Sequence, residues 1–360
     1  MRARGSGLVL LAFDVGYEID LDGAAERLSV ARSPEAFRHK RGAPEEPEVD
    51  RRPLRFTRTI QNLSLGPVTT TDELEIAVYP FGGVCLCYKL PLDLELGRLV
   101  DVSVVLYDNA ELQRAARTEA QSLLEALGGA VREPHLARAV EDYVIYRLEP
   151  LSNTIGEFEV KERELLARIL RAEAGPLSQH EIGNALDGRI AYRPEELVLV
   201  DWFGALLVGA DMEDERRVLE LTTVELVELR FLDERLERRL DEAYGLLARS
   251  RKPYFGLSPR SAEVERLARF QADSAILHEN FDNALKLLGD DYLARLYGVC
   301  SDRFHFGAWD TAIERKLATL ESIYSKISDL AARRRAELLE WIIIALFIID
   351  IVLYFLPLRG

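Results

Sequence analysis

The C-terminal residues constrain this chain most. From Trp341 to Leu358 it reads WIIIALFIIDIVLYFLPL, an almost unbroken apolar run with one acid, Asp350, inside it. As a helix rising about 1.5 Å per residue the run spans about 27 Å, close to the roughly 30 Å of a bilayer's hydrocarbon core. Its Leu, Ile, Val and Phe residues between Ile342 and Leu356 favour insertion by about 4 to 7 kcal/mol, and Asp350 opposes it by about 3. The balance predicts a short transmembrane helix over 338–358, with Glu340, Trp341, Asp350 and Tyr354 as its polar and aromatic landmarks. Arg333, Arg334 and Arg335 precede it, which predicts a cytoplasmic side for the bulk of the chain. Asp350 admits three readings: a protonated passenger bonded to Tyr354, a polar contact between anchors of an oligomer, or part of an ion path.

Upstream, the chain changes character at Asp211. From there until Gly245 there is neither Gly nor Pro, and Leu229, Leu232, Leu236, Leu240, Ala243 and Leu247 recur at helical spacing. After a turn at KPYFGLSP, further helical pattern leads to Ile313, Leu317, Leu320, Tyr324, Ile327 and Ala331, the 4-3-4-3-4 spacing of a coiled-coil seam. Two long amphipathic helices of this kind pack most simply as an antiparallel hairpin.

Before Asp211, strand-like and helix-like segments alternate. LVLLAF from Leu8, LRFTRTIQ from Leu54, ELEIAVYPF from Glu73, GGVCLCYKL from Gly82, DYVIYRL from Asp142 and LVLVDWFGALLVG from Leu197 read as strands. Pro80 with Gly82-Gly83 predicts a hairpin between the third and fourth. AELQRAARTEAQSLLEALGG reads as a helix ending on Gly128-Gly129. The Pro-rich, charged stretch 32–53, which contains His39, reads as a loop or disordered insertion. The expected fold is therefore α+β: a mixed α/β domain over 1–210, a helical hairpin and coiled-coil domain over 211–337, and one transmembrane helix over 338–358.

Charge and cysteine usage limit the chemistry. A formal net charge of −15 argues against direct nucleic-acid binding, which needs clustered Lys and Arg. Three cysteines form no disulfide framework; Cys85 and Cys87, two apart on a strand, share one face and read as buried small hydrophobes. No phosphate loop, dinucleotide fingerprint, HExxH, CxxC or GxSxG is present. His135, His180, His278 and His305 are isolated. No catalytic residue, metal or cofactor is expected. Two segments mix aromatic and charged residues densely: Asp201 and Trp202 in VLVDWFGALLVG, and Phe304, Phe306, Trp309 and Lys316 in SDRFHFGAWDTAIERK. They read as a packed junction or as an interaction surface, since aromatic and charged anchors dominate interfaces.

LVDWFGALLV, VELRFLDERLERRLDEAY, FGAWDTAIERKLATLESIYSKI and RRRAELLEWIIIALFIID together resemble the required-for-meiotic-nuclear-division family, over roughly Asp142 to Tyr354. LEWIII, Leu339 to Ile344, is the most specific part. The resemblance implies membrane attachment and, from mitochondrial members that support translation by mitochondrial ribosomes, a ribosome-associated partner. It carries over no catalytic residues. No transit peptide is expected from the N-terminal residues, and the Ala-, Arg- and Glu-rich style suits a bacterial cytoplasm and inner membrane. The resulting expectation is a non-enzymatic, membrane-tethered scaffold that forms homo-oligomers through its helices and holds a cytoplasmic protein partner. Two alternatives compete with it: an enzyme with a pocket in the α/β domain near Asp201, and a soluble helical oligomer whose tail is buried core.

Overall fold

The computed structural model describes residues 1–31, 52–150, 154–250 and 291–355. The protein is mixed α/β, with one large sheet and several helices. Its elements are β1 (Arg2–Asp14), β2 (Glu18–Ile19), α1 (Leu21–Leu28), β3 (Leu54–Thr59), β4 (Ser64–Leu65), β5 (Val68–Thr69), β6 (Glu73–Val78), β7 (Gly83–Glu95), α2 (Arg98–Leu106) and α3 (Ala110–Leu127). After a 3-10 turn come β8 (Val131–Arg132), β9 (Glu141–Leu148), α4 (Ile155–Arg171), α5 (Gln179–Leu186), β10 (Arg189–Ile190), β11 (Leu197–Val200), β12 (Gly204–Val208), α6 (Glu213–Ser250), α7 (Asp291–Arg303) and α8 (Phe306–Phe355). Two compact units emerge: Met1–Phe231 with Glu279–Asp310, and Leu232–His278 with Thr311–Gly360. Helices α6 and α8 each contribute to both.

The first unit is built on an eight-stranded sheet ordered β10-β11-β12-β9-β1-β7-β6-β3. All pairings are antiparallel except β12 with β9. Strand β1 lies inside the sheet and is buried without interruption from Ser6 to Asp14, because both of its faces are covered. That is why its sequence is a continuous apolar run and not an alternating one. On one face Val9, Leu11 and Phe13 join Leu86, Tyr88 and Val144 in a core shared with α1 to α4. The opposite face carries Leu10, Ala12, Cys85, Cys87 and Ile145, also buried. Cys85 and Cys87 thus share a face as the spacing predicts. The hairpin predicted at Pro80 joins β6 to β7, and Gly82 takes φ +107° there, where a side chain would collide with the Gly16 carbonyl.

The helices begin and end where the sequence provides caps. Asn109, Thr154 and Ser178 each accept from the backbone N–H three residues on, at α3, α4 and α5. Helix α3 closes on Gly128, as predicted. The start of α6 is buried nearly all round, from Val218 to Leu229.

Within the first unit, α7 and the start of α8 run alongside α6 in the same direction: Tyr292 bonds Glu215, Cys300 bonds Thr222, and Trp309 lies beneath Arg230. This corrects the antiparallel hairpin expected for these helices. Antiparallel order is obligatory only across a short connection, and residues 251–290 separate α6 from α7. In the second unit Ile313, Leu320 and Ile327 are buried at seven-residue intervals with Ile323, while Leu317 and Tyr324 are half-buried. Leu232, Leu236 and Ala243 are buried on α6 in the same unit.

Most of the predicted loop insertion (32–51), the KPYFGLSP turn, the helix predicted after it and His278 lie outside the described residues. Among the described residues no helix is long and apolar enough to cross a membrane. The described part of the apolar run, Trp341 to Phe355, rises only about 22 Å. Residues 356–358 of the predicted span lie outside the described residues.

Candidate functional site

A notch in the sheet makes a pocket. Strand β9 pairs with β1 from Glu141 onward, but on its other edge pairing with β12 starts only where Gly204 faces Val144. Residues 141–143 therefore lack a strand partner on that side. The turn Asp201-Trp202-Phe203-Gly204 folds toward this gap, closed by the Asp201 N–H donating to the Gly204 carbonyl at 3.0 Å. Gly204 is required for the approach, because a Cβ there would lie 2.7 Å from the Val144 carbonyl oxygen. The Tyr143 hydroxyl donates to the Asp201 carbonyl at 2.9 Å and ties the turn to β9. What remains is a pocket of about 210 Å³ between the turn, the start of β9, the ends of α2 and α4, and α6.

One side of it is aromatic. Phe304 stands edge-on to Tyr143 at 5.3 Å and to Trp202 at 6.2 Å, and Tyr107 meets Phe203 edge-on at 4.8 Å. The other side is charged. The Glu141 carboxylate is bound by the Arg230 guanidinium, which also lies over the Trp309 ring at 5.9 Å. Burial pushes the Glu141 carboxyl above its ordinary range, and Arg230 opposes that. Burial likewise raises Asp142, which accepts the Asp108 backbone N–H at 3.3 Å. Asp108 takes φ +48° between α2 and α3, a left-handed conformation that Asp tolerates better than most residues. Its carboxylate accepts from Gln113 at 2.9 Å. Among the described residues no Lys or Arg lies within ion-pair distance of Asp108 or Asp142.

The structure brings Trp202 and Phe304 together in the pocket wall. Asp201 is next to it but buried at 1% exposure, its carboxylate held by Arg171 at 2.5 Å and Arg303 at 3.7 Å. It fixes the turn to α4 and α7. Phe306 packs behind Phe304 at 5.8 Å, and Trp309 supports Arg230. Lys316 belongs to the second unit, where it pairs with Asp233 at 2.8 Å and Glu237 at 3.5 Å. Glu340, Trp341 and Asp350 are exposed on α8. The side chain of Tyr354 lies outside the described residues.

Sequence reasoning missed Glu141, Asp142 and Arg230. The signal available was the acid pair opening EDYVIYRL: neighbouring residues of a strand face opposite ways, so one carboxylate had to enter a covered face. It also missed a buried cluster at the end of β1. The His135 Nε2 lies 2.6 Å from Asp14 Oδ1, its Nδ1 donates to the Glu133 carbonyl at 2.8 Å, and its ring stacks on Phe231 at 4.8 Å. Glu228, fully buried on α6, bonds the same Asp14; burial and the facing carboxylate push it well above its ordinary range. His135 is therefore not isolated. His180 is exposed on α5, as expected of an isolated polar residue.

A family model described as uncharacterized protein MJ0711, N-terminal domain, matches residues 4–215. The chain is also similar to uncharacterized protein MJ0711 of Methanocaldococcus jannaschii, 25% identical over 216 residues, which is 59% of this chain and 66% of that protein. The chain thus matches just under two thirds of that relative's length. No solved structure matches. The family match contains the sheet and the pocket residues Glu141, Asp142 and Trp202, and stops before Arg230 and Phe304.

Proposed function

The chain belongs to the family described as the N-terminal domain of uncharacterized protein MJ0711, and for this member we propose a non-enzymatic, membrane-tethered adaptor. One observation carries the reading. Along α8 the large apolar side chains from Trp341 to Leu353 are all between 46% and 69% exposed, and they follow one another around the whole circumference of the helix. Left in water, that surface forgoes on the order of 20 kcal/mol of burial. A helix apolar all round has to be covered by lipid or by protein. Lipid is the cover proposed here, because the run continues in sequence to Leu358 and follows three arginines; a cytoplasmic side for the bulk of the chain is part of the same proposal.

The resemblance of residues 142–354 to the required-for-meiotic-nuclear-division family supports a ribosome-associated partner for the tethered unit. Kinship with that family and a bacterial setting are both part of the proposal. Self-association through the helices of the second unit is a further part of it. The pocket of the first unit fits binding better than turnover, because its one guanidinium, Arg230, is engaged by Glu141.

Membrane fractionation with carbonate extraction tests the tether. The full chain is expected to remain with the membrane, and a chain lacking Trp341 to Leu356 is expected in the soluble fraction. A full chain that is entirely soluble would sink the reading. Asp350→Leu should hold the protein in the membrane more firmly; if oligomers then dissociate, Asp350 is a contact between anchors.

A further inference from the structure

We propose that the pocket at the start of β9 binds a small organic cation carrying an alkylammonium or compact quaternary ammonium group. The inference is independent of the membrane tether. It stands first on charge. Three carboxylates (Asp108, Glu141 and Asp142) line the pocket against one guanidinium, Arg230, and that guanidinium is already paired with Glu141 and stacked on Trp309. Asp108 and Asp142 also line the cavity, with hydrogen bonds from an amide and from a backbone N–H; among the described residues neither forms an ion pair, and Arg230 acts on Asp142 only from beyond ion-pair distance. Keeping a half-buried carboxylate charged without a cation is costly, and a cationic ligand removes that cost.

The opposite wall supplies the complement. Trp202, Tyr107, Phe203 and Phe304 present rings to the same space, and aromatic faces attract ammonium groups at short range. Tyr107 and Phe203, set edge-to-face at 4.8 Å with Tyr107 48% exposed, stand where the pocket meets solvent. A carboxylate ligand would meet like charge. A purely apolar ligand would bury Asp142 without bringing it a counter-charge. A bare divalent ion would find aromatic carbon where it needs oxygen, and among the described residues no group of acids, His and Cys is placed to hold a metal. The volume of about 210 Å³ lies below the roughly 300–1,000 Å³ of drug-sized sites, so the ligand is small.

Titration calorimetry on the full-length protein tests this with n-butylammonium and tetramethylammonium as probes, and with n-butanol and butyrate as the neutral and anionic controls. At least one cation is expected to bind at millimolar concentration or tighter, and both controls are expected to give no saturable heat. Asp142→Asn should weaken the cation by about tenfold or more, and Trp202→Leu should weaken it while leaving the controls unchanged. Asp108→Asn, in an exposed turn, reports the same charge effect should Asp142→Asn fail to fold. Binding of butanol or butyrate as tight as the cations overturns the proposal. So does cation binding untouched by the aspartate variants, or the absence of binding by either cation. None of these results bears on the tether, which carbonate extraction reads through α8 alone.

Discussion

Arg216 and Glu220 sit one turn apart on α6 with side chains only 6% and 2% exposed, and they bond each other at 3.1 Å inside the protein. Glu220 also takes Arg55 of β3 at 2.8 Å and the hydroxyl of Tyr79 at 2.7 Å, so one carboxylate pins α6 to the β3–β6 edge of the sheet. On a surface such a pair contributes well under about 1 kcal/mol. Buried, its value shows when one partner is removed: Glu220→Ala leaves the Arg55 guanidinium without a counter-charge, and Arg216 with Glu213 and Glu75 only, and is expected to cost about 3–5 kcal/mol in urea unfolding. An unchanged urea midpoint would refute the pinning role.

The same carboxylate sets an acid limit. Burial alone would raise Glu220, but Arg55 and Arg216 outweigh it and hold the group at about 2. A folded value below the unfolded one means stability that is present above the ordinary carboxylate range and lost as pH falls from there toward about 2. The loss should amount to about 3 kcal/mol, and it should disappear from the pH dependence of Tm in Glu220→Gln, whatever that variant's baseline.

Glu215 works in the opposite sense. Burial pushes it to about 7, with Glu196 and Asp214 adding to the rise and the Tyr292 hydroxyl opposing it. A raised folded value means a contribution fully present below the ordinary carboxylate range and lost as pH rises through about 7. Tm should therefore decline in the native chain as pH rises from the ordinary carboxylate range to about 7 and level off above it, and Glu215→Gln should flatten that decline. A decline of equal size in the variant would assign it to other groups.

Cys85, Cys87 and Cys300 are all buried and free. Burial raises each thiol, Cys87 and Cys300 to about 12 and Cys85 well above its ordinary value, and only the thiolate reacts. Native protein is expected to leave a thiol reagent such as an aromatic disulfide unconsumed, with all three groups reacting in denaturant. Rapid labelling of one thiol in native conditions would show that a face of the sheet opens.

Gly204→Ala tests the notch. The added methyl would sit 2.7 Å from the Val144 carbonyl, backbone that cannot yield without disturbing the β9–β12 pairing. A cost of about 1–3 kcal/mol is expected, read as a lowered Tm. A variant as stable as the native chain would mean that the turn has room to slide.

The main strands were legible because burial on both faces writes plain apolar runs, as in LVLLAF of β1 and DYVIYRL of β9. LVLVDWFGALLVG hid its hairpin: Trp202 and Phe203 occupy the turn, where Gly, Asn or Asp would have marked it. The start of α6 was legible from the change in character at Asp211, but the direction in which α7 and α8 accompany it was not, since helical periodicity carries no sense of direction. Trp202 and Phe304 stood out through their aromatic neighbourhood. Glu141 and Arg230 did not, because they are 89 residues apart and either alone looks like any charged residue flanking an apolar segment.

The place of β1 inside the sheet has a consequence for how the chain is made. Leu8 is opposite Lys89 on one side and Ile145 on the other, so this strand leaves the ribosome long before either neighbour exists. At about 5–20 residues per second, closing its second edge waits on the order of ten seconds. Until β7 emerges its most apolar stretch has both hydrogen-bonding edges open to any other nascent chain, and one edge stays open until β9 follows. Polypeptides stalled before β9 should aggregate through this segment, and those released after Leu148 should not.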